Sequence, residues 1–252
     1  MAWTRRRFLT RLPCFAAGLA AADALGVEPD WIEISHLDLS HLGAGKTIVH
    51  LTDLHYRGDR AEMEGWLRLA REQKPDYLFV TGDVIDRNPR RHLAPALEIL
   101  SNAGVPVYGV IGNHDPVGTK AMAAFRQAAA ATGGKWLYDE SVDFGPFVLQ
   151  GTADLRVMKP LNAKPHLLLC HYPAVGDKQR SKPYELILAG HSHGGQCRVP
   201  GFGAIFLPDG VGRYVQGLFE TPVGKLFVSR GLGTTGLPIR FACRPEMTVI
   251  RV

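Results

Sequence analysis

Five short apolar runs punctuate the chain, KTIVHL, DYLFV, VYGVI, HLLLC and ELILA, and none shows strict apolar/polar alternation. Runs of this kind read as strands buried on both faces, the pattern of parallel strands covered by other layers. Between the first three, apolar residues recur at helical spacing instead. In AEMEGWLRLAREQ, Met63, Trp66, Leu67 and Ala70 share a face, Asp59 stands where a cap belongs, and Pro75 prevents the helix from continuing. HLAPALEILSNAG, closed by Gly104, predicts a second helix, VPVYGVI the next strand, and TKAMAAFRQAAAATGG a third helix with a glycine stop. The first half therefore reads strand, helix, strand, twice over.

The second half changes character. KWLYDESVDFG and PFVLQGTA read as a hairpin-like pair, and the loop around AVGDKQRSKPY leaves room only for a short helix before ELILA. From Gly194 onward Gly and Pro are frequent, and AIFL, YVQGLF, KLFVSR and MTVIRV predict strands joined by turns. Ahead of the first core strand, WIEISHLDLSHL alternates in places like an edge hairpin. The expected fold is α/β, with two mixed β-sheets packed face to face and helices outside. Residues 31–252 would form this domain, after a leader at 1–30.

Composition agrees with a folded body. Hydrophobic residues make up 46% and charged residues 21% of 252, without a low-complexity tract or repeat, which excludes a chain too polar to collapse. The net charge is +5, but Arg5, Arg6, Arg7 and Arg11 against Asp23 put more than half of it in the first 24 residues. The remainder is near neutral and lacks the basic stripe of a nucleic-acid binder. Cysteine usage indicates neither a disulfide framework nor a zinc knuckle, since Cys170, Cys197 and Cys243 remain once Cys14 of the leader is set aside. Cys170 reads as a small buried hydrophobe, while Cys197 and Cys243 have no role derivable from their spacing.

The leader TRRRFLT, followed by LPCFAAGLAAADALG, resembles a twin-arginine export signal. Arg5 and Arg6 supply the pair, Phe8 and Leu9 the hydrophobic positions after it, and the alanines at 20, 22 and 24 offer signal-peptidase steps. Its apolar stretch falls short of the roughly 20 residues of a membrane span. The resemblance implies the twin-arginine machinery as a partner and a destination in the periplasm or cell envelope. A retained leader would instead tether the protein to the membrane surface, and a basic helix packed on the domain is the plain structural alternative.

Chemistry-bearing residues follow the strand-like runs. The pieces DLH, GD, GNHD, CHYP and GHSHGG place Asp53, His55, Asp83, Asn113, His114, Asp115, His171, His191 and His193 at the ends of, or just after, apolar segments. Parallel strands ending at one sheet edge deliver such residues to a common crevice. Mixed nitrogen and oxygen donors suit Mn, Fe, Zn, Ni or Co better than Mg or Ca. Two such ions about 3.5–4 Å apart can clamp a phosphate ester and lower the pKa of a bridging water to supply hydroxide near neutral pH. A carboxylate must then bridge them, and Asp83 is the best candidate. The two-residue spacing of Asp53 and His55, and of His191 and His193, predicts paired ligands on one face of an extended segment.

These five motifs, in this order over residues 46–252, resemble the calcineurin-like metallophosphoesterase superfamily. The resemblance implies the four-layer α/β/β/α sandwich. It assigns Asp53, His55 and His193 to one metal ion, Asn113, His171 and His191 to a second, and Asp83 to both, with Mn²⁺ first among the metals. It further implies that His114 stabilises the scissile phosphate or protonates the leaving oxygen, with Asp115 orienting its ring. The C-terminal third, GHSHGGQCRVPGFG and VSRGLGTTGLPIRFACRPEMTVI, is similar to the YkuE/YaeI-type branch of bacterial phosphodiesterases, often exported or membrane-associated. Some relatives hydrolyse the pyrophosphate of UDP-2,3-diacylglucosamine in lipid A synthesis, so a lipid-linked or nucleotide-sugar phosphoester is the implied substrate. That nucleotide is made in the cytoplasm, which an exported enzyme would not meet. A superfamily nuclease and a non-catalytic metal-binding scaffold are the competing readings, and a scaffold has no need of His114.

Other residues stay in their ordinary roles at this level. His36, His41, His50, His92 and His166 lie outside the motifs, and Gly194 and Gly195 read first as a turn. Among the basic residues Arg57, Lys159, Arg180, Lys182, Arg198, Arg213, Arg240 and Arg244, Arg57 and Arg240 are the first candidates for a second phosphate. Asp86 and Asp154 either hold a histidine of the site or cap local turns.

Overall fold

The structure, a computed structural model, describes residues 17–86, 90–178 and 183–252. The leader residues Arg5, Arg6, Arg7, Phe8, Leu9, Arg11 and Cys14 and the loop cations Arg180 and Lys182 lie outside the described residues. Residues 17–26 form helix α1, most of whose side chains are exposed.

The strand-like runs build two sheets. Strands β1 (Glu33–Asp38), β2 (Thr47–Leu51), β3 (Tyr77–Thr81), β4 (Val107–Val110) and β5 (Lys135–Trp136) join the C-terminal β14 (Glu246–Arg251) in the order β1-β14-β2-β3-β4-β5. The second sheet contains β6 (Glu140–Asp143), β7 (Val148–Thr152), β8 (His166–Cys170) and β9 (Tyr184–Ala189). After the small ribbon of β10 (Arg198–Val199) and β11 (Gly203–Ala204), it adds β12 (Gly217–Glu220) and β13 (Gly224–Val228). Its order is β12-β13-β9-β8-β7-β6. Both sheets are mixed: β14–β2, β12–β13 and β6–β7 are antiparallel, and their other neighbours run parallel.

Alternation of side chains explains why these runs are apolar throughout. Ile48, Phe79, Leu167, Leu169, Leu186 and Leu188 fill the space between the sheets. Their neighbours Val49, Leu51, Leu78 and Val80 face the opposite way, against Met63, Trp66, Leu67 and Ala70 of α2 (Arg60–Glu72). The Asp59 side chain caps that helix, accepting a hydrogen bond from the Glu62 N–H at 3.1 Å, as its position predicts. Helices α3 (Leu93–Ser101) and α4 (Thr119–Ala131) complete the layer over the first sheet with Leu97, Leu100 and Phe125. Over the second sheet, Leu168, Ile187 and Ala189 meet Val175 of the 3-10 segment Pro173–Asp177 and the loop residue Tyr214. The sandwich of two mixed sheets flanked by helices is as expected, with this 3-10 segment and loops forming the outermost layer.

Two local expectations are corrected. WIEISHLDLSHL forms no hairpin; β1 is a single edge strand parallel to β14, from Glu33 opposite Glu246 to Asp38 opposite Arg251. The Asp38 carboxylate accepts from the Ser40 N–H, starting a 3-10 turn over Ser40–Leu42 that ends at Gly43 with φ 71°, so the chain turns away instead of pairing back. The segment KWLYDESVDFG splits between sheets, Lys135–Trp136 joining the first and Glu140–Asp143 the β6–β7 hairpin, with the positive φ of Asp139 between them.

Candidate metal centre

Strands β2, β3, β4, β8 and β9 end beside one another, and the residues after them converge. Asp53, His55 and His193 place one ligand atom each within 4.8 Å of one another, as do Asp83, His171 and His191. The His55 and His193 Nε2 atoms are 3.0 Å apart, and His193 Nε2 is 3.6 Å from an Asp53 carboxylate oxygen. In the second group His191 Nδ1 lies 3.1 Å from His171 Nε2, which in turn lies 3.1 Å from the Asn113 side-chain oxygen. Asp83 stands between the groups, one oxygen 3.5 Å from His55 Nε2 and 3.3 Å from His171 Nε2. All seven residues expected as ligands therefore lie together in one cluster.

The backbone reaches this arrangement by a different route from the one the spacing predicts. Asp53 and His55 lie beyond the end of β2 with φ 51° and 44°, and His191 and His193 beyond β9 with φ 67° and 50°. They occupy the left-handed region, which costs free energy for residues with a side chain. On this shared backbone Asp53 and His55 serve one group, whereas His191 and His193 serve different groups. Asp83 shares this conformation at φ 52°. Close approach also explains the glycine before each ligand in GD, GN and GH. A Cβ on Gly112 would overlap the Asp83 carboxylate, one on Gly190 would overlap Thr52 Oγ1 and Asp53, and one on Gly82 would overlap the backbone of Gly112.

Neighbouring groups fix which nitrogen of His171 and of His191 faces inward. His171 Nδ1 donates to the Thr81 carbonyl at 2.7 Å, presenting Nε2 to the centre. His191 does the reverse, Nε2 donating to the Asp209 carbonyl at 2.6 Å and Nδ1 facing in. Asp53 accepts from the His191 N–H and Asp83 from the His114 N–H. Partners of this kind set the tautomer and orientation that a metal ligand needs. Sequence reasoning misses Thr81 and Asp209 because both act through main-chain oxygens.

Burial dominates the electrostatics. It pushes Asp53 up to about 6 and holds His55 and His191 near 4, with His193 well below the ordinary histidine range. Burial thus favours the neutral form of those three rings, the form that ligates a cation. For Asp83 and His171 burial opposes the charged forms, but their mutual attraction wins, raising His171 to about 9 and holding Asp83 below the carboxylate range. The donor set is that of two borderline divalent ions, with mixed imidazole, amide and carboxylate groups around a shared carboxylate.

His114 stands at the side of this cluster, its ring edge-on to His55 at 4.8 Å between centroids. The expectation that Asp115 orients it is corrected. Both Asp115 oxygens serve backbone N–H groups, of Val84 and Ile85 on one side and Gly112 on the other, tying the two ligand loops together. His114 Nδ1 instead donates to Asp86 at 2.8 Å. Arg57 in turn holds Asp86 at 3.3 Å while donating to the Thr234 carbonyl. Asp86, His55 and His114 also lie close enough to form a third set of ligand atoms. Asp154 has the local role, accepting from the Leu155 N–H.

Arg240 does not reach out to a phosphate. It is fully buried, and its guanidinium donates to the carbonyls of Arg230, Gly231, Gly233 and Cys243. Those contacts fold the 230–233 loop onto Asp53, whose carbonyl accepts from the Gly233 N–H at 2.8 Å. Gly194 and Gly195 form the turn after His193 with φ 60° and 87°. Cys170, Cys197 and Cys243 are free thiols, and burial pushes Cys170 up to about 12, in keeping with a buried apolar role.

A mixed β-sandwich with paired His/Asp metal groups at the ends of its parallel strands defines a metallophosphoesterase. Residues 46–195 match the calcineurin-like phosphoesterase family, and the chain belongs to it. It is 32% identical to phosphodiesterase YaeI of Escherichia coli K12, over 99% of each chain, and 30% identical to the uncharacterised metallophosphoesterase YkuE of Bacillus subtilis, over 98% of this chain and 96% of that one. The fold matches that of TT1561 from Thermus thermophilus with a TM-score of 0.51 and 13% identity, covering 74% of this chain and 90% of that one.

Proposed function

We propose that this metallophosphoesterase hydrolyses a phosphodiester or pyrophosphate at the cluster centred on Asp83. The observation that carries the reading is the meeting of two ligand groups at one carboxylate within a single cleft. Asp53, His55 and His193 would hold one divalent ion, Asn113, His171 and His191 the other, and Asp83 both. When bound, such ions supply Lewis acidity toward the phosphate and a water acidic enough to ionise near neutral pH. Mn²⁺ heads the candidates, ahead of Fe, Zn, Ni and Co.

The chain's own residues would do the rest. With Nδ1 engaged by Asp86, His114 would act through Nε2, stabilising the phosphate or passing a proton to the leaving oxygen. Asp86 holds the ring's tautomer, and Asp115 keeps the Asp83 and Asn113 loops in register. A diester ranks first, since the relative in Escherichia coli is named a phosphodiesterase. A lipid-linked or nucleotide-sugar phosphoester is the finer candidate. Export by the twin-arginine route to the cell envelope, or membrane association through a retained leader, completes the proposal.

The test is Mn²⁺-supported hydrolysis of bis-p-nitrophenyl phosphate beside UDP-2,3-diacylglucosamine, with Asp83→Ala as control. Turnover lost in the control supports the reading, and the preferred substrate sorts diester from pyrophosphate chemistry. Intact metal binding without turnover of either would favour a scaffold.

A further inference from the structure

The cleft above the cluster has an unusual wall. About 390 Å³ in volume, it reaches from Asp83 and His114 at its floor to Ile205, Phe206, Leu237 and Ile239 at its rim. The β10–β11 ribbon and the segment after it expose Phe202 by 91%, Ile205 by 69% and Phe206 by 74%, and Leu237, which lines the same cleft, is 66% exposed. The apolar run AIFL predicts a strand, but only Gly203–Ala204 form one; the Ile205 N–H still donates to the Cys197 carbonyl at 3.1 Å, and the chain then leaves the ribbon, so that Ile205 and Phe206 line the site. Single exposed apolar residues are ordinary, whereas several around one opening mark a surface that something covers.

A second apolar element meets the same segment. The Arg240 N–H donates to the Ala24 carbonyl, and the buried Glu28 carboxylate accepts from the N–H groups of Ala242 and Cys243. Helix α1, with Leu19 and Leu25 exposed and Val27 exposed just after it, is therefore fastened to the strand of chain that carries Leu237 and Ile239. Among the described residues no helix is long and apolar enough to cross a membrane. A short apolar helix and an apolar ribbon tip are suited to lying in a lipid interface instead.

We infer that the lip formed by Val199, Phe202, Ile205, Phe206 and Leu237 seats the enzyme on a lipid surface, from which the cleft takes an amphiphilic phosphoester. The inference rests on the phosphoesterase reading for the fate of the phosphate. The occupant is constrained at both ends: the floor of the cleft gathers groups for a phosphate, and the walls above it accept an apolar chain. A lipid surface meets both requirements and also covers the ribbon tip, which lies outside the cleft.

The test uses the full chain and the double variant Val199→Asp with Phe202→Asp; neither side chain lines the cleft, and Phe202 is almost wholly exposed. Sedimentation with phosphatidylglycerol/phosphatidylcholine vesicles is measured beside hydrolysis of two Mn²⁺-supported substrates, soluble bis-p-nitrophenyl phosphate and hexadecyl p-nitrophenyl phosphate held in the vesicles. The wild type is expected to sediment with the vesicles. The variant should bind at least tenfold more weakly and lose vesicle-substrate turnover to match, with soluble diester turnover unchanged within twofold. Wild-type protein that stays in the supernatant, or a variant that binds vesicles equally well, overturns the inference. So does a concentration-dependent dimer that the variant abolishes, which would make a second copy the cover. Loss of soluble turnover in the wild type itself would sink the phosphoesterase reading, and vesicle sedimentation would still report on the lip separately.

Discussion

At the residue scale, the division of labour between neighbouring aspartates decides how the site works. Asp86 meets the His114 ring, whereas Asp115, adjacent to that histidine in sequence, faces the backbone of the Asp83 loop. Adjacent residues on an irregular loop have no fixed relation between their side chains, so sequence proximity to His114 is a poor guide. His114→Ala is expected to lower kcat about 10²–10⁴-fold while metal content, read by elemental analysis, stays at the wild-type level. Asp86→Asn should retain metal and lose part of that rate, since it leaves the ring without its carboxylate partner; unchanged kcat would remove Asp86 from the mechanism. A separate residue, outside the cluster, contributes to acid sensitivity. His50 is fully buried on β2, its Nε2 2.8 Å from Thr81 Oγ1, and burial lowers it to about 3. The unfolded chain takes up this proton below about pH 6.5 and the folded one does not until about 3. Stability is therefore unaffected above the upper value and falls with pH between the two, by about 1.4 kcal/mol per pH unit for this group. Denaturant melts at pH 7 and 5 should show a smaller loss for His50→Leu than for the wild type.

Among the elements, the strand ends matter more than the strands. Apolar runs and helical periodicity were legible because each is a local pattern imposed by a long buried face, as with Met63, Trp66, Leu67 and Ala70 of α2. The D-x-H and H-x-H pairs were legible as candidate ligands but not as geometry, because a left-handed residue after a strand leaves no periodic trace. The glycine before a ligand is the trace that does exist. Gly190→Ala places a methyl group onto Asp53 and Thr52, and should abolish one equivalent of bound metal while circular dichroism shows the fold retained. By contrast Asp59→Ala removes only the α2 cap, at a cost of about 1 kcal/mol, and should lower the melting temperature without changing turnover.

On the scale of the whole molecule, the cluster draws its residues from both of the sheets that share the central core. Asp53, His55, Asp83 and Asn113 come from loops of the first sheet, and His171, His191 and His193 from the second. Ions bound there would link the sheets, and ligand binding to the native state alone stabilises it by about 2.7 kcal/mol at a hundredfold excess over Kd. Dialysis against a chelator is accordingly expected to remove activity and lower the melting temperature, and Mn²⁺ to restore both; a melting temperature indifferent to metal would place the ions elsewhere. Residue type and order were enough to specify the central strands, the helices, the donor set and the chemistry that set can support, since metal ligation depends on which atoms are offered and burial on local apolar pattern. The fold alone chose which aspartate orients His114, sent Arg240 into the interior to fasten the Asp53 loop, and gathered the ribbon tip and Leu237 around one opening. Those outcomes depend on contacts between segments far apart in the chain, whose approach is set by packing of the two sheets and has no local signature.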